Sequence, residues 1–171
     1  MFPHVLDNAL AEEVLGRARV SPRLRANHCF HRPADRLQRM VNAALRGSYF
    51  APHRHKDPDK LEIFTILTGR VMVITFDDSG GILDRAVLSR DAGAAGGPES
   101  WQVEIPPGTW HTLAVLSPEA VLYEVIDGSY DAKTHKRFAP WAPPESDQEA
   151  ARAYLAELLR RTGEASLPKS P

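Results

Sequence analysis

Apolar positions recur four apart at Leu10, Val14 and Ala18, behind Asp7 in a capping position, and predict a short amphipathic helix over residues 7–18. Pro22 ends that segment, and Leu24, Ala26, His28 and Phe30 then alternate with Arg25, Asn27, Cys29 and His31 as a strand does. Residues 34–46 carry a helical stripe, Leu37, Met40, Val41, Ala44 and Leu45, with Pro33 before it and Gly47 after it, which favours a helix. From residue 49 the pattern is all β. Short apolar runs at 49–55, 61–67, 70–76, 82–89, 100–105, 111–116 and 120–127 are separated by turn residues, the spacing of a closed or double-sheet barrel. Asp77 to Gly81 form a hairpin turn, and Thr68 with Gly69 a tight one.

Gly93 to Gly97, interleaved with alanines, read as a loop; no helix carrying a lysine and a serine or threonine follows, so a phosphate cradle is excluded. After Asp127 the chain turns irregular, with Tyr130, Phe138, Trp141 and a run of prolines. Such large aromatics need a surface to bury against, either the barrel or a neighbouring subunit. Ala150, Tyr154, Leu155, Leu158 and Leu159 return to helical spacing over 147–160, Gly163 stops that helix, and the residues from 164 onward are expected to fray. The expected division is a helical segment over 1–20, a barrel over 21–127, an irregular tail over 128–145 packed on the barrel, and a C-terminal helix over 146–163.

At 171 residues the chain has the size of one domain with one substantial core. A formal net charge of −1 gives no reason to expect a nucleic-acid partner or a membrane surface, and the arginines at 17–25 read as solvated faces of a helix and a strand. No apolar run approaches the ~18 residues of a membrane span. Cys29, the single cysteine, has no internal partner, and Met1 to Asp7 lack the charged start and apolar run of a secretion signal; a cytoplasmic location is expected.

The candidate chemistry lies at His53, His55, Glu62 and His111. On a strand, positions 53 and 55 project from one face, so both imidazoles address one spot. Pro58 makes a turn from which a hairpin-like return brings Glu62 beside them, and Pro106 to Gly108 deliver His111 onto the start of another apolar run. Three imidazoles and a carboxylate suit one divalent transition metal per chain (iron, manganese, nickel, copper or zinc) better than calcium or magnesium.

The two stretches resemble the signature motifs of the cupin superfamily. Gly47, His53, His55, Glu62 and Gly69 follow the first motif, with a longer spacer between His55 and Glu62; Pro106, Gly108 and His111 follow the second, with Val115 and Ser100 as departures. A narrower resemblance, over roughly residues 21–145, is to the WbuC-type cupin metalloproteins, carried by 21–27, Tyr49 to His55, Ile105 to Thr112 and the Phe138 to Glu145 stretch. The resemblance implies a mainly β, cupin double-stranded β-barrel (an RmlC-like jelly roll), flanked by the short N-terminal helical element and the C-terminal helix. It also implies a metal site, pairing into a homodimer, and a setting in bacterial surface polysaccharide metabolism. Cupin barrels often carry a strand just before the first motif, where local period here favours a helix.

Beyond the ligands, Tyr49 and Glu124 are candidate catalytic groups. Tyr49 shares the parity of the histidines, and Glu124 lies in an otherwise apolar strand whose parity leaves it either outside or within the cavity. Arg54 should face away from the metal, Phe64 and Ile66 should form an apolar floor, and His28 reads as a rim residue. Three functions fit: a metal-dependent enzyme acting on a small polar molecule such as a carbohydrate or sugar nucleotide, an iron-dependent dioxygenase, or a non-catalytic metal or ligand-binding module. Metal-free sugar epimerases do not explain three histidines and a glutamate at ligand spacing.

Overall fold

The computed structural model describes residues 4–90 and 100–164; Gly93 to Gly97 and the last seven residues lie outside them. The first helix, α1 (Asn8–Val20), begins where the Asp7 carboxylate accepts the Leu10 N–H at 2.9 Å. Ten strands follow: β1 (Arg25–Cys29), β2 (Leu37–Leu45), β3 (His53–Arg54), β4 (Glu62–Thr68), β5 (Arg70–Phe76), β6 (Ile82–Ser89), β7 (Gln102–Ile105), β8 (Trp110–Val115), β9 (Glu119–Asp127) and β10 (Arg137–Phe138). The last element is α2 (Gln148–Arg161), capped by Asp147.

The strands form two antiparallel five-stranded sheets, β1-β2-β9-β4-β7 and β10-β3-β8-β5-β6. Phe64, Ile66, Val71, Val73, Leu113 and Leu122 fill the space between them. Each sheet also buries part of its outer face. Val14, Leu15 and Ala18 of α1 cover Val41, Ala43 and Val121, while Leu155, Leu158 and Leu159 of α2 cover Met72, Ile74 and Ala114. The architecture is the mainly β double-stranded barrel with one helix near each end of the chain.

Residues 34–46 are the clearest departure from the local pattern, because they form β2 and not a helix. Gln38, Met40 and Asn42 face the barrel interior, whereas Val41 and Ala43 lie under α1. A strand buried on both faces loses its alternation of apolar and polar residues, and the remaining apolar positions happened to fall at helical intervals. The run at 49–55 is likewise shortened to His53–Arg54, since Pro52 has no N–H to give to a ladder. The expected hairpin return is different in kind, because β3 and β4 lie in opposite sheets.

The segment after Asp127 packs on its own barrel. Phe138 pairs with His53, and the Ala139 N–H donates to Pro52 O at 2.9 Å. Trp141 lies over Gly80, where an added Cβ would meet its ring at 2.8 Å, and its ring centroid is 5.0 Å from that of Phe76. Gly80 also has φ +88, so a side chain there is strained twice over. Tyr130 and Phe138 remain exposed on the single chain.

Glu145 closes this strap, accepting from Arg25 at 2.5 Å and Arg23 at 2.7 Å. Its burial alone would raise the carboxyl, but Arg25 and Arg23 outweigh it and hold it below the ordinary range. A depressed carboxyl contributes stability above its unfolded value and loses it as pH falls. Glu145→Gln should therefore lower stability at neutral pH by about 1 kcal/mol, allowing for partial exposure. Thermal melts should show that difference shrinking as pH falls below about 4; a pH-independent difference would rule the ion pair out as its origin.

Candidate metal centre

Three of the four candidate ligands are placed by strand pairing. His53 of β3 and His111 of β8 are direct cross-strand partners, and Glu62 projects from β4 of the facing sheet. His111 follows the turn at Gly108, whose φ of +74 favours glycine. His53, His55, Glu62 and His111 are buried, and one ligand atom from each lies within 4.8 Å of all the others.

The tautomers follow from the other ring nitrogens. Nδ1 of His53 lies 3.0 Å from Ala51 O, Nδ1 of His55 lies 2.5 Å from His135 O, and Nδ1 of His111 lies 2.9 Å from Thr109 O. A carbonyl only accepts, so each Nδ1 carries the proton and a neutral ring presents its Nε2 lone pair to the cluster. Burial first, and then Lys136 and His111, keep the His53 pKa well below its ordinary value. Glu62 Oε2 is 2.8 Å from His111 Nε2 and 3.4 Å from His55 Nε2. All three Nε2 atoms and Glu62 Oε2 are buried with no other hydrogen-bond partner among the described residues. Acceptor therefore faces acceptor, and a proton or a metal cation must lie between them. Burial opposes ionisation of Glu62, yet His111 and His55 pull its pKa well below the ordinary value. Three imidazole lone pairs and a carboxylate fit a divalent transition metal.

Two members of the cluster, His53 and Glu62, line a cavity of about 840 Å³. Glu124 is inside it, since it pairs with Phe64 and so shares the inner face of Glu62; the Asn42 amide donates to its Oε2. Burial and the neighbouring Glu62 raise the Glu124 pKa well above the carboxylate range. Tyr49 is elsewhere. Its hydroxyl donates to Pro143 O at 2.9 Å, and its ring packs against Tyr154 under α2, outside the cavity lining. The irregular backbone through Pro52 breaks the parity that linked it to the histidines. Arg54 does face outward, over Trp110 and 3.3 Å from Asp78. Phe64 and Ile66 are buried beside the site, and His28 packs edge-on against Phe30.

Gln38, Asn42, His135 and Lys136 also line the cavity and were not singled out by the sequence. Gln38 and Asn42 were obscured by the helical stripe of their segment. His135 sits in the irregular tail; burial, then His55 and Lys136, lower its pKa to about 3.

The fold and the four-residue cluster together define a cupin-type barrel with a candidate metal centre. The profile of a domain of unknown function, DUF6016, matches residues 6–88. No curated protein matches the sequence. Similar solved structures include a conserved protein with a double-stranded β-helix domain from Klebsiella pneumoniae, with 15% identity and a TM-score of 0.55 over 81% of this chain and 98% of that one. A protein of Shewanella oneidensis gives 12% identity and a TM-score of 0.54 over 84% and 87%. The capsular polysaccharide assembling protein CapF from Staphylococcus aureus gives 21% and 0.55 over 70% of this chain; this chain spans 32% of CapF. At these identities the likeness is one of fold.

Metal analysis of the purified protein should find close to one equivalent of a divalent transition metal per chain, and His53→Ala and His111→Ala should each remove most of it. Chelation should lower the melting temperature of the wild type and leave both variants unaffected, because only the intact shell couples metal to folding. Full metal content in both variants would locate the metal elsewhere.

Proposed function

We propose that this protein is a metal-dependent enzyme acting on a small polar molecule, in the carbohydrate setting of the WbuC-type cupins. The observation that carries this reading is the position of the cluster: its four ligand atoms lie together, and two of the four residues, His53 and Glu62, line an open cavity of about 840 Å³, so one side of the cluster faces space that a substrate can enter. A structural metal site is closed, whereas a catalytic one leaves a coordination position for water or substrate. The carbohydrate setting is favoured by the WbuC resemblance and by the shared fold of CapF, described as a capsular polysaccharide assembling protein.

A bound metal supplies Lewis acidity toward a carbonyl or hydroxyl oxygen of the substrate. The residues of the chain do the rest. The carbonyls of Ala51, Thr109 and His135 keep the three rings in the ligating tautomer. Phe64 and Leu122 give the cavity an apolar floor that limits water near the centre. Glu124 is the one cavity-lining carboxyl that is neither in the four-residue cluster nor ion-paired among the described residues, which supports it as the group that moves a proton to or from the substrate.

A homodimer is part of the same proposal, supported by the exposed Leu37, Tyr130 and Phe138. A cytoplasmic setting is supported by the exposed, unpaired Cys29. Among the described residues no helix is long and apolar enough to cross a membrane.

Glu124→Gln should keep the metal and reduce turnover by about 100-fold or more, once metabolite screening of the metal-loaded protein has identified a converted compound. Saturable binding without turnover would make the protein a binding module, and oxygen uptake with iron but not zinc would make it a dioxygenase. Light scattering should give twice the chain mass in solution; a monomer would overturn the dimer.

A further inference from the structure

We propose that Gln38, His135 and Lys136 form a recognition subsite beside the metal centre for a small hydroxylated molecule carrying one anionic group. The proposal rests on the metal-enzyme reading only in giving the other end of that molecule to the metal.

Gln38 is fully buried on β2, and its Nε2 donates to Gly128 O at 3.0 Å. The carbonyl accepts only, so the amide orientation is fixed and Oε1 takes the other corner. That oxygen is buried without a partner, and the residue lines the cavity. An orphan acceptor calls for a donor, and hydroxyl groups are the donors a small polar metabolite carries. Gln38 pairs with Ile126, which pairs with Glu62, so Gln38 lies two strands from the metal ligand in one cross-strand row. At the usual strand spacing this is about 10 Å, the reach of a six-membered ring with its substituents.

His135 is nine-tenths buried, lines the same cavity, and leaves Nδ1 without a partner. Its ring centroid is 4.8 Å from both Tyr130 and His55, which limits its freedom to turn away. The charge requirement comes from Lys136. Among the cations lining the cavity, Arg23 and Arg25 are held by Glu145, and Arg17 lies 3.8 Å from Glu13. Lys136 is exposed and has no ion-pair partner among the described residues.

The three features together discriminate. A neutral sugar leaves the ammonium of Lys136 unanswered, an anion without hydroxyls leaves Gln38 Oε1 without a donor, and a cation is repelled.

Calorimetric titration of the full-length, metal-loaded protein with glucuronate, glucose 1-phosphate and glucose tests this. At least one of the two anions should bind about tenfold or more tighter than glucose, with a salt-dependent Kd. The exposed substitution Lys136→Ala should weaken that anion about three- to fivefold and leave glucose unchanged. Gln38→Leu should weaken all probes that bind; Gln38→Glu, which keeps the side-chain size, serves if the first variant does not fold, and should weaken the anion selectively. Metal content measured on the same samples separates the two readings. Loss of metal in the wild type would defeat the enzyme proposal, whereas a metal-replete protein would defeat the subsite alone in any of three ways: it binds glucose as tightly as the anions, it is indifferent to Lys136→Ala, or it binds neither anion at about 10 mM.

Discussion

Four buried acceptors pointing at one another are the constraint on which the rest of this structure depends. Removing three imidazole lone pairs and a carboxylate from water without a donor costs roughly 1 to 3 kcal/mol for each group. Only a cation or a proton at their common focus can offset that. The arrangement is rigid because the backbone imposes it. Three carbonyls fix the three Nδ1 protons, and the direct pairing of His53 with His111 fixes the distance between two of the rings. The barrel then has to bring Glu62 from the opposite sheet, so the site depends on the packing of the two sheets and on no single hairpin.

This dependence explains why so much of the core is doubly buried. Strand β8, which carries His111, has every residue from Trp110 to Val115 buried, because α2 covers the outer side of its sheet while the facing sheet covers the inner side. Leu113 packs inward with Phe64 and Leu122, and Ala114 packs outward with Leu155 and Leu158. A strand fixed from both faces cannot shift register, and a one-residue slip would turn His111 out of the cluster.

The four-residue His/Glu cluster, both helices and most strands were legible from local period and turn chemistry, since those signals are carried by residues a few positions apart. The misread stretches share a physical cause. In β2 both faces are buried, so the alternation that marks a strand is absent. Around Tyr49 the backbone leaves regular extension before Pro52, so parity counted from His53 allowed the phenol to line the cavity mouth, whereas it is packed under α2. Glu124 was ambiguous for a related reason: parity states that residues alternate but not which set faces in, and only pairing with Phe64 decides it. Gln38 and His135 acquire meaning only through unpartnered atoms, which no sequence pattern records.

The tail after Asp127 belongs to the site as much as the barrel does. His135 O holds the Nδ1 proton of His55, Phe138 extends the sheet at His53, and the Ala139 N–H bonds to Pro52 O between the two. The same segment is fastened further along by Trp141 over Gly80 and by Glu145 on Arg23 and Arg25. Two of the three imidazoles therefore take their orientation or their strand pairing from residues 80 or more positions away in sequence. A histidine's basicity follows the hydrogen bond at its other nitrogen, so losing the His135 carbonyl contact would be felt at His55 without altering any of the four cluster residues. The irregular composition of the strap suits that task, because backbone outside a regular ladder leaves a carbonyl such as His135 O free to accept from a side chain.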